Sequence, residues 1–139
     1  MGVELTSLGR LTIRVDDQLR MESGPFGTRL VGTAAECRWD GDRVTARGVL
    51  TPATDWVLLD SEGNGTVDAR MTLETDDGAL ICLRYQGRVA YRGEAGARVV
   101  VAPTFETNDP RYAWLNWVQA VGKGARQGRD LVYELYEVG

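Results

Sequence analysis

The chain has 139 residues, 43% of them hydrophobic, carries a formal net charge of −4 and contains no histidine. The lack of histidine excludes the commonest general base, the Ser–His and Cys–His catalytic pairs, and metal sites built on imidazole ligands. The acidic balance disfavours a nucleic-acid-binding function, because proteins that neutralise phosphates are usually basic.

The first third of the chain predicts strands joined by short turns. Val3–Val15 ends in alternating apolar and polar residues, the period of a strand with one buried face. Asp16–Gly32 is less regular, and a Gly-Pro-Phe-Gly sequence within it indicates a loop. Thr33–Trp39 and Arg43–Thr51 then predict a hairpin around an Asp-Gly-Asp turn.

The middle of the chain predicts two more strands and a tight hairpin. Asp55–Asp60 and Thr66–Thr75 are joined by a segment rich in glycine and asparagine. Thr75–Ala79 then suits a three-residue hairpin loop, in which Gly78 takes a positive φ without steric cost.

The three-residue loop decides which residues face each other across this hairpin. On one face it pairs only apolar or aromatic residues: Leu73 with Ile81, Met71 with Leu83, and Ala69 with Tyr85. The other face carries Asp68, Arg70, Thr72 and Glu74. A two-residue loop would mix the two sets, and mixed faces pack poorly.

The last third predicts three strands and one helical turn. Ala97–Ala102 is a short continuous apolar run, typical of a strand buried on both faces. Trp117–Val121 and Leu131–Val138 are predicted as the last strands, with a glycine-rich turn between them. Asp109–Leu115 predicts one helical turn, with an Asn or Asp cap and proline at its first position.

Short strands with glycine-rich turns favour an all-β fold, either a closed barrel or a sandwich. A closed barrel hides its strand edges, and about eight strands leave an interior that can hold one small ligand. We therefore expect a single antiparallel β-barrel domain over residues 1–139, with about eight or more strands and at most one short helical turn.

Cysteine usage and the N-terminal sequence bear on the compartment. Cys37 and Cys82 are far apart and form no CxxC motif, so we expect free, mostly buried thiols in a reducing compartment, with a disulfide left open. The N-terminal residues show no basic segment followed by an apolar run. No stretch is long enough to span a bilayer, so we expect a cytoplasmic protein.

One segment concentrates the residue types of a binding pocket. Pro103–Trp117 combines four aromatic residues with carboxylates, amides and an arginine. Pockets that orient small molecules usually have apolar walls and a few placed polar groups. The segment therefore predicts a small-molecule site.

Several runs closely resemble the bacterial and fungal family known as domain of unknown function 3237. They are DARMTLETDDGALI (Asp68–Ile81), FETNDPRYAWLN (Phe105–Asn116), GPFGTR (Gly24–Arg29), the pair Asp55–Trp56, and YELYEV (Tyr133–Val138). The resemblance covers nearly the whole chain, and the two long runs are its specific part.

The resemblance implies a compact β-barrel similar to those of allene oxide cyclases and dirigent proteins. Such relatives hold small, often hydrophobic molecules inside the barrel, and some steer cyclisations without a metal or organic cofactor. The resemblance therefore implies that no cofactor is needed. The family itself implies no general activity.

The polar strand face is the first candidate site. Asp68, Arg70 and Glu74 lie on one strand face, which either is a solvated outer wall with weak ion pairs or lines the lumen. In the lumen, a carboxylate would take a proton and Arg70 would bind an enolate or carboxylate oxygen.

The aromatic segment supplies the second set of candidates. Glu106 would be an acid or base whose pKa rises on burial near aromatic rings. The candidate substrate-binding residues are Trp56, Tyr112, Trp114, Asn116 and Tyr136. The alternatives are that the aromatics belong to the core and that Asn116 binds its own loop.

Three functional hypotheses follow. The first is a cofactor-independent isomerase, cyclase or hydro-lyase of small-molecule or secondary metabolism, which acts on an apolar or aromatic carbonyl compound in the lumen. The second is a non-catalytic carrier or sensor for a hydrophobic metabolite. A third is an interaction protein whose barrel is only a scaffold. We expect a small-molecule ligand, a possible homodimer, and no nucleic-acid, membrane or metal partner.

Overall fold

The computed structural model describes residues 1–50, 53–93 and 96–139, and these form ten strands and a 3-10 helix. The strands are β1 (Leu5–Gly24), β2 (Gly27–Asp40), β3 (Thr45–Gly48), β4 (Thr54–Leu59), β5 (Asn64–Thr75), β6 (Leu80–Tyr91), β7 (Ala97–Val101), β8 (Thr104–Glu106), β9 (Ala120–Gln127) and β10 (Asp130–Val138). The 3-10 helix spans Pro110–Trp117. No helix in the described ranges is long and apolar enough to cross a membrane.

Eight of the strands close into an antiparallel ring. Its order is β1, β2, β4, β5, β6, β7, β9 and β10, and β10 pairs back onto β1 from Leu5↔Val138 to Arg14↔Asp130. The short β3 pairs with β2 and β5, and β8 pairs with β6. Closure satisfies the backbone groups that an open sheet would leave at its edges. The predicted all-β barrel is confirmed.

The strand connections define two ends of the barrel. The open end carries the β4–β5 turn at 60–63, the β9–β10 turn at 128–129, and the β1–β2 hairpin, which extends beyond the ring. The capped end carries the β2–β3 turn at 41–44, the β5–β6 turn at 76–79 and the 3-10 helix.

The predicted register of the β5–β6 hairpin is confirmed. Leu73 faces Ile81, Met71 faces Leu83 and Ala69 faces Tyr85, and all six side chains are buried in the lumen. The alternate residues point outward. The polar face that includes Asp68, Arg70 and Glu74 is therefore the outer wall.

Aromatic side chains fill the capped end of the lumen. Trp39 is fully buried, and its ring stacks on Phe105 with the centroids 5.2 Å apart. Its indole Nε1 donates a hydrogen bond of 2.7 Å to the carbonyl of Leu8, so the buried N–H is satisfied.

The 3-10 helix closes this end. It begins after Asp109, whose side chain accepts a hydrogen bond from the backbone N–H of Arg111, and it buries Leu115. The Tyr112 hydroxyl donates to Asp77 in the β5–β6 turn at 3.0 Å. The predicted helical turn is confirmed and extends to Trp117.

Three strand predictions differ from the structure. β1 and β2 run through most of Asp16–Gly32, because β1 continues past its last pair with β10 and stays paired with β2. The residues of β1 in this part are exposed on both faces and give no hydrophobic alternation. β9 begins at Ala120 and includes glycines that the sequence assigned to a turn. β7 is buried on one face only, since Val100 is 44% exposed.

Two further predictions, for Cys82 and for the end of β3, also differ from the structure. Cys37 is buried as expected, but Cys82 is exposed because it lies on the outward face opposite Thr72, so the prediction of a buried thiol there was wrong. β3 ends at Gly48, short of the predicted Thr51. Thr51 itself lies outside the described residues.

The glycines of β9 make room for inward side chains of β10. Gly124 pairs with Tyr133, and a Cβ at Gly124 would overlap the Tyr133 ring. At Gly122 a Cβ would lie 2.7 Å from Leu135 Cδ2. These glycines are therefore packing positions, although in sequence they resemble a turn.

Gly124→Ala should lower the free energy of unfolding by about 1–3 kcal/mol, because the methyl group overpacks the Tyr133 ring. Urea unfolding measures the change. Gly32→Ala is the matched control, because its Cβ would meet only an atom at 3.8 Å, and it should change stability by less than about 0.5 kcal/mol. Equal effects of the two substitutions would contradict the packing role.

Candidate active site in the barrel lumen

A carboxylate lies on the inner face of β4. Asp55 shares that face with Val57 and Leu59 and pairs with Ala69 of β5. Its Oδ1 is buried and has no hydrogen-bond partner among the described residues. Because buried carboxylates are rare and usually paired, Asp55 is the first candidate for a functional group.

Burial raises the pKa of Asp55 to about 6, and repulsion from the nearby Asp68 carboxylate adds to the rise. Desolvation disfavours the charged form, and a second negative charge does the same. A carboxyl with this pKa exchanges its proton close to neutral pH, as a general acid or base requires.

Tyrosine hydroxyls lie in the same part of the lumen. The Tyr85 hydroxyl donates to the Tyr133 hydroxyl at 3.4 Å, and the rings lie 5.4 Å apart. Burial raises the pKa of both phenols, and the charge of Asp55 contributes in the same direction. Both therefore stay protonated at neutral pH. The bond between them uses one hydroxyl proton and leaves the other able to donate.

Asp55 and Tyr85 line an inner cavity of about 30 Å³. Its other lining side chains include Met71, Gln18, Tyr91 and Arg126. A water needs about 10–15 Å³ of such space, so the inner cavity accommodates one or two waters or one small group of a ligand.

A larger outer depression of about 450 Å³ lies at the open end. It shares Gln18, Tyr91 and Arg126 with the inner cavity, and it also contacts Leu30 and Leu59. The two spaces together provide a recess in front of a carboxyl and phenols, with mainly apolar walls in the inner cavity and mixed polar and apolar walls in the outer depression. This arrangement can transfer a proton and stabilise a developing oxyanion.

The predicted site residues of β5 are on the outer wall. Arg70 is exposed and faces Arg84, and Glu74 lies 3.9 Å from Arg47. Asp68 also points outward, although its Oδ1 is buried and has no partner within the described part of the chain. Of these three, only Asp68 influences Asp55 electrostatically.

The residues predicted from the aromatic segment lie at the capped end or on the surface. Glu106 is exposed opposite Cys82. The Asn116 side chain binds both backbone groups of Thr107, at 2.7 Å and 3.0 Å, and so fixes its own loop. Arg43 lies over the Trp114 ring at 4.5 Å.

Two further aromatic candidates are also outside the lumen. Trp56 is 49% exposed on the outer wall, with the Arg29 guanidinium 5.8 Å from its ring. Tyr136 is on the outward face of β10, opposite to the face of Tyr133. The structure thus does not bring the predicted site residues together around one cavity.

The lumen cluster of Asp55, Tyr85, Tyr133 and Tyr91 was not predicted as a site. A signal was present for two of its members. Asp55 occupies the same parity as Val57 and Leu59, and Tyr85 follows Ile81 and Leu83 on the apolar face. A charged residue in phase with an apolar face is the pattern that would have identified it.

Residues 3–138 match the model of the family described as "Protein of unknown function (DUF3237)". The chain belongs to this family. No match was found among curated proteins.

Several solved structures have the same fold as this chain. A beta-barrel like protein from Acinetobacter baumannii is 27% identical, with a TM-score of 0.90 over 100% of this chain and 98% of that one. A conserved protein of unknown function from Rhodopseudomonas palustris is 21% identical, with a TM-score of 0.90 over 100% and 99%. A protein from Penicillium herquei, described as an enzyme, is 18% identical, with a TM-score of 0.71 over 99% and 94%.

Asp55→Asn should stabilise the fold at neutral and higher pH. The raised pKa means that stability from the protonated carboxyl is present below about pH 4 and is lost as the pH rises through about 6. An amide carries no such ionisation cost. The variant should match the wild type near about pH 4 and exceed it by roughly 1–3 kcal/mol near about pH 8.

Urea unfolding at both pH values measures this difference. An equal effect of Asp55→Asn at both pH values would contradict the raised pKa.

Proposed function

We propose that this protein is a cofactor-independent enzyme that moves a proton on an apolar or aromatic carbonyl compound, as an isomerase, cyclase or hydro-lyase. The observation that carries the proposal is Asp55, a lumen carboxyl with a pKa raised to about 6 beside protonated tyrosines. Perturbed carboxyls in a recess are more common at catalytic sites than elsewhere.

Asp55 acts first as a general base. Its carboxylate removes a proton from the carbon next to the substrate carbonyl, and the C–H electron pair moves into an enolate. Tyr85 lines the inner cavity, and its hydroxyl turns away from Tyr133 to donate to the enolate oxygen, while the Tyr133 hydroxyl donates to Tyr85 in its place. A preorganised donor of this kind contributes about 3–4 kcal/mol to transition-state stabilisation.

The protonated Asp55 then acts as a general acid. Returning the proton to a different carbon completes an isomerisation. Giving it to a departing hydroxyl group releases water. In a cyclisation, the enolate carbon attacks a second carbonyl carbon of the same substrate, the π pair of that carbonyl moves to its oxygen, and Asp55 protonates the resulting alkoxide. Each route regenerates the carboxylate and needs no redox partner.

The two spaces of the recess can hold different parts of the substrate. The inner cavity of about 30 Å³ admits only the reacting edge of a substrate, while the outer depression of about 450 Å³ holds the body. The Penicillium protein described as an enzyme supports the view that such a barrel can host catalysis, as an analogy of fold.

Hydrogen–deuterium exchange into 2-tetralone tests the proton transfer directly. The wild type should accelerate exchange at the carbon next to the carbonyl in D₂O, followed by NMR. Asp55→Asn should slow the catalysed exchange by about 10²–10⁴-fold, the usual contribution of a general base. Glu106→Gln removes an exposed carboxylate at the other end of the barrel and should change the rate by less than about twofold.

The pH dependence of the exchange rate shows whether Asp55 acts as a base or as an acid in the first step. A base must be ionised, so the rate should rise with pH through about 6 and then level off. Loss of exchange in Glu106→Gln but not in Asp55→Asn would overturn the proposal and place the chemistry at β8.

A non-catalytic carrier is the second candidate, and the small inner cavity favours it. In this case 2-tetralone binds in the outer depression, and the wild type exchanges its protons no faster than buffer.

A further inference from the structure

Arg126 stands at the boundary between the two spaces of the recess. It lies near the end of β9, and its side chain lines both the inner cavity and the outer depression. Its Nε donates to the carbonyl of Gly128 at 3.0 Å, which fixes the guanidinium at the open end. Its two terminal nitrogens make no hydrogen bond or ion pair within residues 1–50, 53–93 and 96–139.

The two other charged side chains that line the outer depression, Arg20 and Asp60, are engaged. Arg20 pairs with Glu22 at 2.6 Å, and Arg129 lies 3.9 Å from Asp16. Asp60, which also lines the outer depression, accepts backbone hydrogen bonds from its own turn, and these lower its pKa. Of the described arginines that line the recess, Arg126 is the one that reaches both spaces and makes no ion pair.

The surroundings of Arg126 define the kind of ligand. The outer depression has a mixed lining, to which Leu30 and Leu59 contribute apolar surface. The guanidinium lies where the depression meets the inner cavity, whose walls are mainly apolar. A guanidinium fork binds a carboxylate through two parallel hydrogen bonds. An apolar body with one carboxylate matches both features.

We propose that the substrate of this site is a carboxylate-bearing apolar or aromatic carbonyl compound, and that Arg126 is its specificity-determining residue. The inference rests on the proposed function and adds the substrate class to it. Arg126 holds the carboxylate at the boundary of the two spaces, the apolar body lies over the depression, and the carbonyl edge enters the inner cavity toward Asp55. The charge of Arg126 also offsets the repulsion between an anionic substrate and Asp55.

Isothermal titration calorimetry with cinnamate and cinnamamide tests the proposal. The two probes share their shape and differ in the carboxylate. The wild type should bind cinnamate at least ~10-fold more tightly than cinnamamide, and Arg126→Gln should lose that preference. Arg126→Lys keeps the charge without the fork and should give an intermediate preference.

Arg88→Gln is the matched control. Arg88 is also exposed, also donates to a nearby carbonyl, at 3.1 Å, and makes no ion pair among the described residues, but it lies on the outer wall of β6. The Arg88→Gln variant should bind cinnamate and cinnamamide with the same affinities as the wild type. Thermal unfolding of each variant verifies that the fold is retained.

The outcomes separate this inference from the proposed function. Equal cinnamate affinity in the wild type and Arg126→Gln, an equal loss in Arg88→Gln, or no cinnamate binding at millimolar concentration would overturn the role of Arg126. 2-Tetralone carries no carboxylate, so its hydrogen–deuterium exchange needs Asp55 but not Arg126. The exchange can therefore still be catalysed when the role of Arg126 is overturned. If instead Arg126 selects cinnamate while Asp55→Asn leaves exchange unchanged, the anion site stands and the catalytic role fails.

Discussion

Ring closure by β10 pairing onto β1 is the constraint on which the rest of the structure depends. Once the ring is closed, strand parity between the β-bulges assigns each residue to the lumen or to solvent. Apolar and aromatic side chains occupy nearly all lumen positions described in the structure. An ionisable group of the same parity in the interior of the lumen is therefore desolvated, whereas Arg126 at the open end stays exposed. Asp55 is such an interior group, and its raised pKa is a direct consequence of closure.

The two ends of the barrel differ in how their polar groups are hydrogen-bonded. At the capped end, polar groups are engaged locally: Asn116 binds Thr107, Tyr112 binds Asp77, and the Trp39 indole binds Leu8. At the open end, the lumen keeps a carboxylate oxygen that has no hydrogen-bond partner among the described residues, beside phenols and next to a depression that reaches solvent. Burying a carboxylate without a partner costs stability, and such a cost is typical of functional sites.

The sequence predicted the parts of the fold that local chemistry determines. The three-residue loop at Thr75–Ala79 gave the β5–β6 register, and proline gave the start of the 3-10 helix. The glycines of β9 were predicted as a turn, because glycine usually marks turns, whereas Gly124 makes room for the Tyr133 ring. The site was missed because the local signal is ambiguous. Asp55 has the parity of Val57 and Leu59, but Trp56 and Leu58 on the other face are apolar as well. Only the long-range pairing of Asp55 with Ala69 decides which face of β4 lies in the lumen.

The pKa of Asp55 is the most direct test of this account. A pH titration of the protein with ¹³C-labelled aspartate, followed at the carboxyl carbon, measures it, and Asp55→Asn assigns the resonance. The account predicts a pKa of about 6, falling when the nearby carboxylate is removed by Asp68→Asn. A pKa below about 4, the ordinary value of an aspartate in water, would show a solvated carboxyl and contradict the candidate active site.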